Sequence, residues 1–182
     1  VDLRWSRTRV PFVSSFCCPP NLVRTLAELG SYAYGKSSNT VWVNLYGGST
    51  LNTTLEGTPL KLKQETEYPW NGHVRITINE CGAAPFALKL RIPGWAKSAS
   101  ARVNLGPATH ASASGSYFEL RRDWKAGDVV DLDLNMRTEL IEANPLVEET
   151  LGQVALKRGP VVYCLESVDL PAGTPVMDVT VP

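Results

Sequence analysis

Val41-Trp42-Val43-Asn44-Leu45-Tyr46 places Val41, Val43 and Leu45 on one side and Trp42, Asn44 and Tyr46 on the other. That two-residue period belongs to a strand with one face turned to a core. The chain just before it follows a different rule. Leu22, Val23, Leu26, Leu29 and Tyr32 or Ala33 recur at spacings of three and four, the stripe of an amphipathic helix. Pro19-Pro20 fits its first turn, where a missing N–H would have no partner anyway, and Gly30 or Gly35 can close its far end. The spacing predicts a helix over about Pro20 to Tyr34, and Gly35-Lys36-Ser37-Ser38-Asn39 becomes a boundary.

Beyond that boundary, short alternating segments recur: Ser49 to Leu55, Leu60 to Thr66, Val74 to Asn79, Phe86 to Ile92, Ala101 to Leu105, Tyr117 to Leu120, Val129 to Leu134, Thr138 to Glu142, Val154 to Lys157 and Val161 to Leu165. Turn signals separate nearly all of them, among them Glu56-Gly57, Asn71-Gly72, Pro93-Gly94, Gly106-Pro107, Ser114-Gly115 and Ala126-Gly127-Asp128. Many short strands without helices between them indicate a mostly β fold, an antiparallel β-sandwich of jelly-roll type, preceded by one short helix. Residues after about Thr40 are expected to form two packed antiparallel sheets. The organisation expected is 1–36 for the helical end, 40–170 for the sandwich and 171–182 for a linker or tail containing Pro171, Pro175 and Pro182.

A length of 182 residues, 43% hydrophobic and 20% charged, suits one globular core. Eighteen basic side chains against eighteen acidic ones leave no global field for nucleic acid or an anionic membrane surface, so neither is an expected partner. No apolar run approaches the roughly 18 residues that span a bilayer, and Val1-Asp2-Leu3-Arg4-Trp5 lacks the apolar core of a signal peptide. A soluble, cytoplasmic protein is the expectation. With no initiator Met and no clear element over Val1 to Phe16, the chain reads as the end of something longer.

The constellation above background is Phe16-Cys17-Cys18-Pro19-Pro20-Asn21. A helix N-terminus carries positive potential, which favours a thiolate, so either sulfur is a candidate nucleophile. Two adjacent thiolates can equally be two of the four ligands of a zinc ion, and two buried inert thiols are an equal alternative. Cys81 and Cys164 are weaker candidates, Cys164 being placed like a core residue of its strand. His73 and His110 lack a neighbouring ligand and are expected to face solvent. Trp70, Trp95 and Trp124 offer sugar-stacking faces, but their turn positions favour sealing the end of a sandwich.

Cys17-Cys18-Pro19-Pro20-Asn21 followed by Arg24 resembles the β-L-arabinofuranosidase family of glycoside hydrolases, family 127. Val43-Asn44-Leu45-Tyr46, Glu67-Tyr68-Pro69-Trp70-Asn71-Gly72, Leu90-Arg91-Ile92-Pro93-Gly94-Trp95, Trp124-Lys125-Ala126-Gly127-Asp128 and Arg158-Gly159-Pro160-Val161-Val162-Tyr163 extend the likeness from about Phe16 to Leu170. The resemblance implies an (α/α)6 barrel as catalytic domain, followed by β-sandwich modules, with this helix the last of the barrel. It implies Cys17 as a zinc-associated nucleophile that forms a thioglycosyl intermediate on an arabinofuranoside-type substrate, with retention. Cys17 and Cys18 would be zinc ligands. A Glu-x-Cys pair and a Glu acid/base would lie upstream, and Glu28 is read as helix surface and not as that acid. This chain alone is then expected to be inactive and to hold zinc weakly or not at all. The alternative is a noncatalytic sandwich module for carbohydrate binding, domain packing or homodimer contact.

Overall fold

The computed structural model describes residues 17–111 and 113–181. The described residues form one α-helix and thirteen strands. Helix α1 spans Cys18–Ala33 and runs without a linker into β1 (Tyr34–Ser37), which turns back at once into β2 (Thr40–Val43). The stretch 35–39, read from sequence as a boundary, is therefore a strand and a tight turn. There follow β3 (Ser49–Leu55), β4 (Thr58–Thr66), β5 (His73–Glu80), β6 (Phe86–Ile92), β7 (Ala99–Val103), β8 (Ala108–His110), β9 (Ser116–Arg122) and β10 (Val129–Leu134). The last three are β11 (Thr138–Glu142), β12 (Val154–Arg158) and β13 (Val161–Tyr163).

The first ten strands make two facing sheets, of order β1-β2-β6-β9 and β3-β4-β5-β10-β7-β8. Alternation decides which side chains meet between them. In β4, Leu60, Leu62 and Gln64 point inward while Lys61, Lys63 and Glu65 point out; Val74, Ile76 and Ile78 of β5 and Val130, Leu132 and Leu134 of β10 repeat the pattern. Opposite them lie Val41 and Val43 of β2 and Phe86, Leu88, Leu90 and Ile92 of β6, in the same core. Since the side-chain period is two, a slip of one residue in any of these strands would turn its whole apolar set to water, which pins the register. The outer faces carry charge pairs such as Lys63–Glu65 at 2.7 Å and Arg75–Asp131 at 2.8 Å, which lie half in solvent and contribute little.

Two features depart from the expected pair of antiparallel sheets. β2 and β6 run parallel, because the chain between them crosses to the other sheet to make β3, β4 and β5 before returning. β11, β12 and β13 form a third, antiparallel sheet of their own. It is joined to the sandwich by Arg158 Nη1, which donates to the Trp70 carbonyl at 2.8 Å, and by an ion pair between Lys97 and Glu139. β11 and β12 leave Leu140 and Leu156 about half exposed.

Trp124-Lys125-Ala126-Gly127-Asp128 forms the turn into β10. Gly127 takes φ +94°, a conformation that favours glycine, and its N–H reaches the Ile78 carbonyl at 2.7 Å. Trp124 is buried, donates from Nε1 to the Phe86 carbonyl at 3.0 Å and closes this end of the core. Asp128 is buried too. That burial opposes its ionisation, but the amide of Asn104 at 2.9 Å, the Lys125 N–H at 3.0 Å and the charges of Arg122 and Lys125 together outweigh it. Its carboxyl is held below the usual range. A depressed folded value means that the stabilisation is fully present above the ordinary carboxylate value, about 3.9, and is lost as pH falls through the folded value. Asp128→Asn should lower stability at neutral pH by about 1.5 to 3 kcal/mol, the range for hydrogen bonds to a charged group. Urea denaturation at pH 7 and pH 3 checks this: the difference between the two proteins should shrink at the lower pH.

Candidate active site

Cys17 is the N-cap of α1 and Cys18 its first helical residue, with Pro19 and Pro20 completing the first turn. A cap side chain ordinarily accepts from the second or third helical N–H, and here both positions are proline and have none. The Cys17 sulfur makes no such cap, consistent with the absence of a side-chain capping bond. The residue is instead held through its carbonyl, which accepts from Asn21 Nδ2 at 2.8 Å, while Arg24 Nη1 donates to Asn21 Oδ1 at 3.1 Å. The two sulfurs lie 3.4 Å apart and both cysteines are exposed. Their exposure departs from the reading of this pair as buried thiols.

A tetrahedral zinc ion with Zn–S bonds of about 2.3 Å sets two thiolate sulfurs about 3.7 Å from each other. The observed separation needs only a small adjustment, so the pair fits two corners of such a site. Among the described residues no cluster of three or more His, Cys, Asp or Glu side chains exists that could hold a metal. The remaining corners of such a site would lie outside the described residues. Glu28 is not among them: it lies about 15 Å along the helix axis from Cys18 at 1.5 Å per residue, with its carboxylate accepting from the Tyr32 hydroxyl at 3.3 Å.

An apolar stripe of this kind is expected to pack onto the sandwich or against another copy of the chain, and the sandwich does not cover it. Leu22 is 62% exposed, Leu26 61% and Leu29 48%, and no residue of α1 is buried. The helix stands off the sandwich and is held at its C-terminal end. There β2 stops at Val43, and the alternation that opened the sequence breaks: Leu45 is only half-buried and Tyr46 turns inward. Asn44 leaves the strand to bond the helix end, its N–H donating to the Ala33 carbonyl at 2.9 Å and its Nδ2 to the Tyr32 carbonyl at 3.2 Å.

The other sequence candidates separate from this site. Cys81 is half-buried, with its sulfur 3.3 Å from the Trp124 carbonyl; burial pushes its thiol up, and the Asp128 charge adds to that. Cys164 lies past the end of β13 and is exposed, so its expected core placement does not hold. His73 and His110 are exposed as expected, His73 lying 3.4 Å from Asp131. Trp95 stacks on Tyr68, which in turn meets Tyr46 edge-on, and the Tyr46 hydroxyl donates to the Arg91 carbonyl at 2.6 Å. Trp95 and Trp124 thus seal the sandwich, whereas Trp70 is 67% exposed and does not.

The chain matches known proteins over nearly its whole length. The family model "Beta-L-arabinofuranosidase, GH127 middle domain" matches residues 40–136, and "Glycoside hydrolase family 127 C-terminal domain" matches residues 138–182. The chain belongs to glycoside hydrolase family 127. The two matches divide where the third sheet begins. A non-reducing end β-L-arabinofuranosidase of Bifidobacterium longum subsp. longum is 34% identical over 176 residues, covering 90% of this chain and 25% of that protein. A solved glycoside hydrolase superposes with TM-score 0.88 at 45% identity, over 97% of this chain and 29% of its own. The crystal structure of a family 127 β-L-arabinofuranosidase from Geobacillus stearothermophilus T6 gives TM-score 0.76 at 45% identity, over 84% of this chain and 24% of its own. The chain thus spans about a quarter of the length of the family 127 proteins it matches. No helix among its described residues is long and apolar enough to cross a membrane.

Proposed function

We propose that this chain is the C-terminal part of a retaining β-L-arabinofuranosidase in which Cys17 is the nucleophile and Cys17 and Cys18 are two zinc ligands. The observation that carries the reading is the pair of exposed sulfurs, 3.4 Å apart, at the head of a helix whose described hydrogen bonds to the sandwich lie at its far end. In the first step the Cys17 sulfur attacks the anomeric carbon of an arabinofuranoside-type sugar. The bond to the leaving oxygen breaks, and an acid outside this chain protonates that oxygen. In the second step water, losing its proton to the same group, attacks the anomeric carbon, and the carbon–sulfur bond breaks. Two displacements give retention, with a thiolate in place of the usual carboxylate nucleophile. The chemistry a bound zinc supplies is stabilisation of thiolate charge at neutral pH.

The exposed stripe Leu22, Leu26 and Leu29 supports the same reading, since leaving such side chains in water costs roughly 1.5 to 3 kcal/mol each and other helices of a longer protein would cover them. A second copy of the chain is the alternative cover. On this reading the described residues offer two thiolates where a catalytic zinc site uses three protein ligands, and the acid that contributes a factor on the order of 10² to 10⁴ is not among them. The purified chain should therefore neither retain zinc through dialysis nor hydrolyse nitrophenyl β-L-arabinofuranoside, while the full-length enzyme does both. Stoichiometric zinc with full turnover in the isolated chain would place the whole site here and overturn the division.

A further inference from the structure

Asn44 sits where the sandwich meets the helix, and each of its polar groups is engaged. Its N–H and side-chain amide nitrogen donate to the Ala33 and Tyr32 carbonyls, at 2.9 and 3.2 Å. Its side-chain oxygen accepts from the Tyr117 hydroxyl of β9 at 2.7 Å, and its own carbonyl lies 3.4 Å from Arg91 Nη1 of β6. The two acceptors are last-turn carbonyls, which a helix leaves without internal partners. One residue thus ties the end of α1 to two strands of the sandwich. The Leu45 N–H adds a second bond to Ala33 at 3.3 Å, and Tyr34, extended at φ −135°, carries the chain straight into β1 opposite Val43.

Helices covering the Leu22, Leu26 and Leu29 stripe would support α1 along its length, and this joint sets where that length starts and how it is inclined to the sandwich. A helix of 16 residues is about 24 Å long, so a tilt of about 5° at its base moves its head by about 2 Å. A misplacement of about 1 Å from a change far from the chemistry can lower turnover about 100-fold. Resting on the assignment of Cys17 as nucleophile, we propose that Asn44 is a positioning residue for the reaction, aiming α1 and with it the Cys17 sulfur at the sugar. The sandwich then takes part in catalysis through direction, without touching substrate.

The test uses the full-length enzyme with Asn44→Ala, Tyr117→Phe and Cys17→Ser. Two readouts are compared: kcat and KM on nitrophenyl β-L-arabinofuranoside, and the rate at which iodoacetamide alkylates Cys17, a reaction that needs the thiol but not its aim. Asn44→Ala should lower kcat on the order of 10- to 100-fold with KM and alkylation unchanged. Tyr117→Phe, which loses one bond of the joint and keeps the helix cap, should show a smaller fall of the same kind and carries the test if Asn44→Ala does not fold. Unchanged kcat in the folded variants, or equal change in kcat and alkylation, overturns the positioning role. Full activity in Cys17→Ser would instead remove the nucleophile assignment on which the role rests.

Discussion

Cys17→Ser in the full-length enzyme should reduce kcat on the order of 10⁴-fold or more in a protein that still folds. The first part follows from chemistry: a hydroxyl is a far poorer nucleophile than a thiolate unless a dedicated base activates it, and removing a covalent nucleophile takes away the step that every later step depends on. The second follows from placement. Cys17 is exposed, makes no side-chain cap, and is held through its carbonyl, which serine retains. Steady-state kinetics and a melting curve on the same preparation separate the two. Near-normal turnover in the variant would move the nucleophile off this helix.

Gly72→Ala should destabilise the sandwich by about 3 kcal/mol, the upper end for overpacking. Gly72 lies against the last residue of β10, and a Cβ placed on it would come within 1.9 Å of the Leu134 carbonyl oxygen and 2.9 Å of its carbon. Neither atom belongs to a side chain that can swing away. The Gly72 carbonyl also accepts from the Leu134 N–H at 2.9 Å, so any shift that relieves the clash strains that bond. For a chain of this size the melting temperature should fall by roughly 6 to 12 °C, at about 2 to 4 °C per kcal/mol. Gly48→Ala is the control: a Cβ there meets nothing within 4 Å, and its melting temperature should stay near that of the parent. A neutral Gly72→Ala would show that β5 and β10 approach less closely than described.

The sandwich was legible because its signal is local. Phe86–Ile92, Val129–Leu134 and Thr138–Glu142 begin and end where their alternation does, and Leu62, Ile76 and Leu132 are buried because parity puts them inside. Pairing is not local. Nothing in Thr40–Val43 shows that its neighbour β6 runs parallel, since that depends on the three intervening strands, β3, β4 and β5, pairing in the other sheet. Asn71-Gly72 read as a turn signal, whereas the close approach of Leu134, sixty-odd residues away, is what demands glycine there.

The candidate site was legible only in part. Cys17-Cys18-Pro19-Pro20 stands out by composition, and the structure adds why the prolines matter: they remove the N–H groups that would otherwise engage the cap sulfur. Asn44 was hidden by its own context, because a polar residue between Val43 and Leu45 looks like an outward strand position. The half-buried Leu45 and inward Tyr46 show that the strand has already ended. The exposed Cys164 was misjudged, and the cover of the α1 stripe left open, for the opposite reason: apolar spacing indicates that a face is suited to burial, and says nothing of whether the covering element belongs to the same stretch of chain.

The central claim is that Cys17 forms a covalent bond to the sugar, and peptide mass spectrometry of the full-length enzyme tests it most directly. The enzyme is mixed with excess nitrophenyl β-L-arabinofuranoside, quenched in acid during turnover and digested. A thioglycoside survives such a quench, so the account predicts a peptide containing Cys17 heavier by one anhydropentose, with the added mass on Cys17 and not on Cys18. Active turnover with the sugar found on a carboxylate, or on Cys18, would contradict it.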